Sequence, residues 1–80
     1  MRLLDEVIDL GALGAVLFCA EGQPQSGLKL RDARGNVHIV SSVTKEDDLY
    51  TLHIADGDAA YFERLFRDVR IDATRFEEVV

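Results

Sequence analysis

Apolar and polar residues alternate along the middle of the chain, from Leu28 to Ile54. A period of two is typical of strands that bury one face and expose the other. The apolar members of the pattern are Leu28, Leu30, Val37, Ile39, Tyr50, Leu52 and Ile54. The alternation therefore predicts successive strands, joined by short turns into an antiparallel meander.

The first predicted hairpin turns at residues 32–35, where an aspartate opens the turn and a glycine can adopt positive φ. The register that keeps the apolar side chains together places Leu30 opposite Val37. A register shifted by one residue would place Leu30 opposite His38 and expose half of the predicted core face. We therefore expect Val37 to point inward and His38 to point outward.

The second predicted hairpin turns at residues 45–48 and joins Thr44 to Leu49. This register places Val43 opposite Tyr50 and selects the same inner face as the first hairpin. Ser41 then falls on that inner face, between apolar neighbours. A hydroxyl at such a position indicates a bulge or a bend in the sheet.

Four further segments have patterns of their own. Residues 3–9 have helical apolar spacing and predict a short amphipathic helix. Residues 15–20 are apolar on both faces and predict a buried strand, whereas residues 71–80 predict a last strand. Between them, Asp58 is a suitable N-cap for an amphipathic helix. The apolar stripe of that helix is Tyr61, Phe62, Leu65, Phe66 and Val69.

These elements predict an α+β fold in one small domain that spans residues 1–80. It has a short N-terminal helix, about five mostly antiparallel strands, and one amphipathic helix before the last strand. A small, strongly curved sheet of this kind either stays open or closes into an SH3-like or OB-like barrel. The alternation does not separate these two arrangements.

Charge is unevenly distributed in a chain whose formal net charge is -6. Residues 23–40, with three cations and one aspartate, form the only net positive segment. The acidic balance disfavours nonspecific binding to nucleic acid, since phosphate neutralisation supplies most of that affinity. The single cysteine, Cys19, excludes an internal disulfide and fits a cytoplasmic location. No apolar run approaches the roughly 20 residues of a membrane span, so no membrane partner is expected.

The polar face of the predicted meander carries Lys29, Arg31, His38 and His53. In the expected register the two histidines are diagonal neighbours. Two histidines without a carboxylate or thiolate beside them do not complete a zinc site, so no metal is expected. Together with the cations they could contact a phosphate, a carboxylate or an acidic patch on a partner.

No catalytic or cofactor motif is present. Ser41 and Ser42 lack a nucleophile-elbow context, and Asp56 and Asp58 are explained by capping of the helix that follows. The sequence therefore predicts neither an enzyme nor a bound cofactor.

Two functions remain open. The first is a small noncatalytic protein-binding or regulatory module that self-associates through a sheet face or edge, with Phe76 and Val79 exposed on the last strand. The second is a nucleic-acid-binding small barrel that uses the face of Lys29, Arg31, His38 and His53. This alternative lacks the exposed aromatic groups on which bases stack, because Tyr50 and Phe62 are expected to point inward.

Overall fold

Seven short antiparallel strands and one α-helix form the structure, a computed structural model that describes residues 1–80. The elements are β1 (Val7–Asp9), β2 (Ala15–Cys19), β3 (Lys29–Arg31), β4 (Val37–Ile39), β5 (Ser42–Glu46), β6 (Leu49–Ile54), α1 (Ala59–Asp68) and β7 (Glu77–Val79). The α+β class is confirmed. The strands number seven rather than about five, and they divide between two sheets.

The larger sheet has the strand order β1-β2-β6-β5, and the smaller sheet has the order β4-β3-β7. The chain passes from the small sheet to the large one at Ser41, between β4 and β5. There the Ser41 N–H donates to the His53 carbonyl at 2.7 Å, while Ser42 is the register partner of His53. Ser41 and Ser42 thus both lie opposite His53, and two residues opposite one define a β-bulge. The bulge is at the position that the sequence indicated.

The bulge reverses the expected orientation of β4. The buried residue before the bulge is Val40, whereas Val43 is the residue of β5 that packs against the core. Because the inward positions change parity across the bulge, the even-numbered residues of β4 point inward. Val37 and Ile39, expected in the core, are instead 46% and 55% exposed.

The hairpin between β3 and β4 accordingly has the register that the sequence disfavoured, with Leu30 opposite His38. The Asp32 N–H donates to the Asn36 carbonyl at 2.8 Å and closes a loop of three residues rather than four. Gly35, with a φ of 91°, takes the left-handed position that such a loop requires. Loop length sets register in a hairpin, so one residue fewer in the loop moves every side chain of β4 to the other face.

The hairpin between β5 and β6 is shifted by two residues, which leaves the faces unchanged. Val43 lies opposite Leu52, and Glu46 opposite Leu49. The turn therefore contains two residues, Asp47 and Asp48, and Asp47 has a φ of 53°.

The N-terminal segment is extended, so the helix predicted over residues 3–9 is wrong. The Leu3 N–H donates to the Thr74 carbonyl, and the Leu4 N–H donates to the Phe18 carbonyl. Val7–Asp9 pairs with β2. Tertiary hydrogen bonds to a strand that would otherwise lack a neighbour outweigh the weak propensity of a short helical pattern.

Helix α1 follows its prediction. Asp58 caps its N-terminus by accepting the Ala60 N–H at 3.0 Å, and Phe62 and Leu65 are fully buried. None of the helices combines the length and the apolar character that crossing a bilayer requires. The hydrophobic core, to which α1 contributes three residues, consists of Leu3, Ala15, Leu17, Cys19, Leu30, Val40, Leu52, Ile54, Ala59, Phe62, Leu65 and Phe76.

The last strand is shorter than predicted, because β7 begins only at Glu77. Phe76 is 1% exposed and belongs to the core, whereas it was expected on an open edge. Its backbone N–H donates to the Met1 carbonyl at 2.7 Å, which fixes it beside the N-terminus. Val79 is half-buried on β7, which pairs with β3.

Candidate functional site

A buried carboxylate, Asp32, forms the centre of the most elaborate polar cluster in the structure. Its side chain has no exposed area. Oδ1 accepts the backbone N–H groups of Arg34 at 2.8 Å and Asn36 at 3.1 Å. Oδ2 is 2.7 Å from His38 Nε2 and accepts the Tyr61 hydroxyl at 2.5 Å. Four donors therefore surround one carboxylate, so its acceptor capacity is filled.

These contacts set the ionisation of the cluster. Burial raises the pKa of Asp32, but the hydrogen bonds from His38, Tyr61 and the two backbone groups outweigh burial and lower that pKa below its ordinary value. Burial and the hydrogen bond to Asp32 raise the pKa of Tyr61. Asp32 is thus an ionised acceptor at neutral pH, and Tyr61 is a neutral donor to it.

The ionised carboxylate fixes the tautomer of His38. Since Asp32 can only accept a hydrogen bond, His38 Nε2 must carry the proton. In the neutral ring Nδ1 is then an acceptor, and it has no hydrogen-bond partner within the chain. The fold leaves no buried side-chain nitrogen or oxygen unpartnered, so Nδ1 is accessible to solvent.

Aromatic rings hold the imidazole in place. The centroid of the His38 ring lies 4.7 Å from that of Phe62 and 5.6 Å from that of Tyr61. The Asn36 amide donates to the Tyr61 hydroxyl at 2.7 Å. The cluster therefore joins the hairpin of β3 and β4 to one side of α1, and it orients His38 tightly.

An open pocket of about 270 Å³ borders this cluster at the start of α1. It is lined by Asn36, His38, Asp56, Gly57, Asp58 and Tyr61. The pocket thus combines the oriented histidine with two carboxylates. Across the chain, no group of three His, Cys, Asp or Glu side chains is arranged to hold a metal ion.

The four-residue basic face expected from the sequence is not assembled. His38 points into the cluster described above, because β4 has the opposite orientation to that predicted. His53 lies on β6 in the other sheet, where its Nε2 donates to the Leu13 carbonyl at 2.6 Å. That bond secures the 3₁₀ turn at Gly11–Leu13. Lys29 and Arg31 alone share the expected surface.

The outer face of the small sheet has a different composition from the one predicted. Strand pairing places Lys29 beside Ile39 and Val79, and Arg31 beside Val37 and Glu77. The Arg31 guanidinium contacts the Glu77 carboxylate at 3.0 Å. We call this surface the outer face; it comprises Lys29, Arg31, Val37, Ile39, Glu77 and Val79.

Strand β4 is an edge of the small sheet and pairs only with β3. The Asp32 N–H bonds to the Asn36 carbonyl, and the Val40 N–H bonds to the Leu28 carbonyl. In an antiparallel ladder this alternation directs the backbone groups of Val37 and Ile39 away from β3. They are therefore free to pair with another strand.

Asp32 and Tyr61 are the site residues that sequence reasoning missed. Asp32 was assigned to a turn and Tyr61 to an apolar stripe, and both assignments are correct as far as they go. Their contact joins residues 29 positions apart. A polar side chain at the end of an apolar stripe is the one local signal that could have pointed to it.

Comparisons with protein-family models, with curated proteins and with solved structures found no match for this chain. The surfaces and the cluster described above are therefore the basis for assigning a function.

Proposed function

We propose that this chain is a small noncatalytic protein-binding module that associates with a second copy of itself through the free edge of β4. The observation that carries the proposal is an unpaired strand edge whose outward side chains, Val37 and Ile39, are both apolar and exposed. Unpaired edges of this composition are templates for pairing with another strand.

The edge is complementary to itself. If two β4 strands run antiparallel and centre on His38, Val37 lies opposite the partner's Ile39, and Ile39 lies opposite the partner's Val37. Each of these pairs uses backbone groups that point away from β3, so both form two hydrogen bonds. The four apolar side chains then lie side by side on the outer face and shield one another from water.

Electrostatics permits this arrangement. The two β3 strands would be separated by three strand spacings, about 14 Å. That distance exceeds the Debye length of about 8 Å at physiological ionic strength, so Lys29 and Arg31 of the two copies repel each other weakly. Arg31 is in addition paired with Glu77 in its own chain.

The other edge strands carry charged side chains. Strand β1 carries Asp9, β7 carries Glu77 and Glu78, and β5 carries Lys45 and Glu46. Charged side chains on an edge strand oppose edge-to-edge pairing. Strand β4, with the sequence Val-His-Ile, has no such protection because its one polar side chain is turned inward.

Sedimentation velocity over a concentration series tests the proposal. The wild-type chain should dimerise, and Ile39→Lys should remain a monomer because it places a cation in the apolar strip of the interface. Ile71→Lys is the matched control, since Ile71 is 81% exposed and lies outside the outer face. A monomeric wild-type chain at every concentration, or equal loss of dimer in both variants, would refute the proposal.

A further inference from the structure

We infer that the groove between β1 and α1 binds a cationic and apolar segment of another protein, in which leucine or phenylalanine side chains lie beside lysine or arginine. The groove is open and has a volume of about 530 Å³, which is in the range of ligand clefts. This inference goes beyond self-association, because β1 belongs to the large sheet, whereas the proposed dimer uses β4 of the small sheet.

Apolar side chains from three elements line the groove. Ile8 of β1 is 48% exposed, and Phe18 of β2 and Phe66 of α1 are half-buried. Covering such side chains removes apolar area from water and is therefore favourable. A ligand that fits this groove must bring apolar side chains of its own.

The sequence of β2 suits a strand that is covered on both faces. A short continuous apolar run is typical of such a strand, and the residues of β2 that face the core are fully buried. Val16 and Phe18 point to the opposite face, where Ile8 is the register partner of Val16. These three side chains form an apolar strip that the chain itself covers only in part.

Carboxylates surround the apolar side chains of the groove. Asp5, Glu6 and Glu63 line it, and none of them forms an ion pair within the chain. Arg67 is the one cation in the lining, and its Nε is 3.0 Å from Asp68 Oδ1. Even when Arg67 is counted in full, three carboxylates and one guanidinium give the lining a formal charge of -2.

The surrounding charges leave this balance unchanged. The charged residues joined to the lining by sequence or by ion pairs are Asp9, Asp68, Arg34 and Arg64. Two acids and two cations cancel. Arg2 donates to the Thr74 hydroxyl at 3.2 Å, and Arg70 does not line the groove. The groove therefore attracts a cationic ligand and repels nucleic acid and anionic lipid.

A second copy of this chain does not match the groove. Each copy has a formal net charge of -6, and residues 23–40 are its only net positive segment. On the outer face, Arg31 of that segment is paired with Glu77, which leaves Lys29 as the only unpaired cation. A segment with two or more cations beside apolar side chains fits three carboxylates better, so the ligand belongs to another protein.

Peptide titrations of the ¹⁵N-labelled chain, followed through its backbone amide shifts, test the inference. The first probe is Ac-Lys-Leu-Lys-Phe-Lys-NH₂. The second has glutamate in place of each lysine, and the third has serine in place of leucine and phenylalanine. Saturable shifts at Ile8, Phe18 and Phe66 are expected with the first probe only. No saturable shift with the first probe, or equal affinity for either of the others, would overturn the inference.

One pair of variants tests the charge of the groove. Glu63→Gln should weaken binding of the first probe about threefold, the effect of losing one exposed ion pair. Glu78→Gln removes an equally exposed carboxylate from β7 of the small sheet and should leave the affinity unchanged. Equal weakening in both variants would indicate attraction by the net charge of the chain and refute a site.

A second pair of variants tests the apolar contact. Ile8→Thr keeps a β-branched side chain but removes apolar area, and it should weaken binding about fivefold. Ile71→Thr is the matched control, since Ile71 is 81% exposed and does not line the groove. Amide shifts of the core residues check that both variants fold. Equal affinity of the two variants would show that the apolar strip makes no contact with the ligand.

Failure of this inference is separable from failure of self-association. The Ile39→Lys chain keeps every residue that lines the groove, so it should bind the first probe as the wild-type chain does. If binding is lost together with the dimer, the site belongs to the assembly and the assignment to a single protomer is wrong.

Discussion

Asp32 shows how a single residue can act in both local and tertiary structure. One of its carboxylate oxygens organises the turn of its own hairpin, and the other holds His38 and Tyr61. The side chain is fully buried, and its removal would take the hydrogen-bond partner from four partly buried donors. The contact network therefore makes Asp32 the polar residue whose removal should cost most.

We expect Asp32→Ala to lower the free energy of unfolding by about 3 kcal/mol, since four partly buried donors lose their acceptor. Urea denaturation measures this change. Asp5→Ala, at an exposed position, should alter the same quantity by less than about 0.5 kcal/mol. Equal, small effects of the two substitutions would show that the cluster contributes nothing to stability.

The lowered pKa of Asp32 makes its stabilisation depend on pH. A carboxylate whose pKa is lower in the folded state stabilises the fold above its unfolded value of 3.8, and that stabilisation is lost as pH falls through the folded pKa. The stability difference between the wild-type chain and Asp32→Asn should therefore be constant near neutrality and shrink below pH 3.8. Urea denaturation of both proteins at a series of acidic pH values checks this. A difference that persists unchanged into strong acid would contradict the assignment.

Tyr61 should give the opposite dependence at alkaline pH. Its raised pKa favours folding fully below the ordinary value of 10.0, and this contribution is lost as pH rises through the folded pKa. Tyr61→Phe should remove the part of the alkaline loss of stability that depends on this phenol. Thermal unfolding monitored by circular dichroism across alkaline pH compares this variant with the wild-type chain, and parallel profiles would contradict the assignment.

At the scale of elements, sequence reasoning succeeded where the signal was local. Helix α1 and its Asp58 cap followed from spacing and capping, and β2 followed from a continuous apolar run. Sequence reasoning failed for β4, because it assumed that the odd-numbered side chains point inward throughout residues 37–43. The bulge at Ser41 interrupts that parity, and the three-residue loop before β4 supplies the compensating shift.

The same inversion explains the success and failure at the candidate site. Lys29 and Arg31 were placed on the outward surface correctly, since β3 kept its predicted orientation. On β4 the prediction had the two faces the wrong way round: His38 points inward, and Val37 and Ile39 point outward. Contacts among Asp32, His38 and Tyr61 depend on how a hairpin packs against a helix, which no periodicity encodes.

The 3₁₀ turn between β1 and β2 depends on Gly14. Its φ is 100°, and a Cβ there would lie 2.1 Å from the Ile54 carbonyl oxygen. Gly14→Ala should therefore cost about 3 kcal/mol, because backbone strain adds to the clash. Gly11→Ala shares a positive φ but meets no atom within 4 Å, so it should cost about 1 kcal/mol. Chemical denaturation compares them, and equal costs would show that the close contact is relieved easily.

Charge and apolar surface are unevenly distributed over the whole molecule. A net charge of -6 keeps copies apart in general, whereas the outer face presents exposed apolar side chains beside two cations. The net negative charge opposes the approach of many copies, whereas the exposed edge of β4 can pair with one other strand. Together these two properties favour a small assembly over indefinite aggregation. In the proposed dimer, twofold pairing at β4 occupies that edge in both copies, so no free β4 edge remains to add a third copy.

The proposed association is linked to folding, so it predicts that the stability of the chain depends on its concentration. A species that binds only the folded state raises the melting temperature as its concentration rises above the dissociation constant, and in the proposed dimer that species is a second folded copy. Tm should therefore rise with concentration for the wild-type chain and for Ile71→Lys, but not for Ile39→Lys. A Tm independent of concentration in a chain that sediments as a dimer would mean that the copies meet through a surface formed without folding, and β4 could not be that surface.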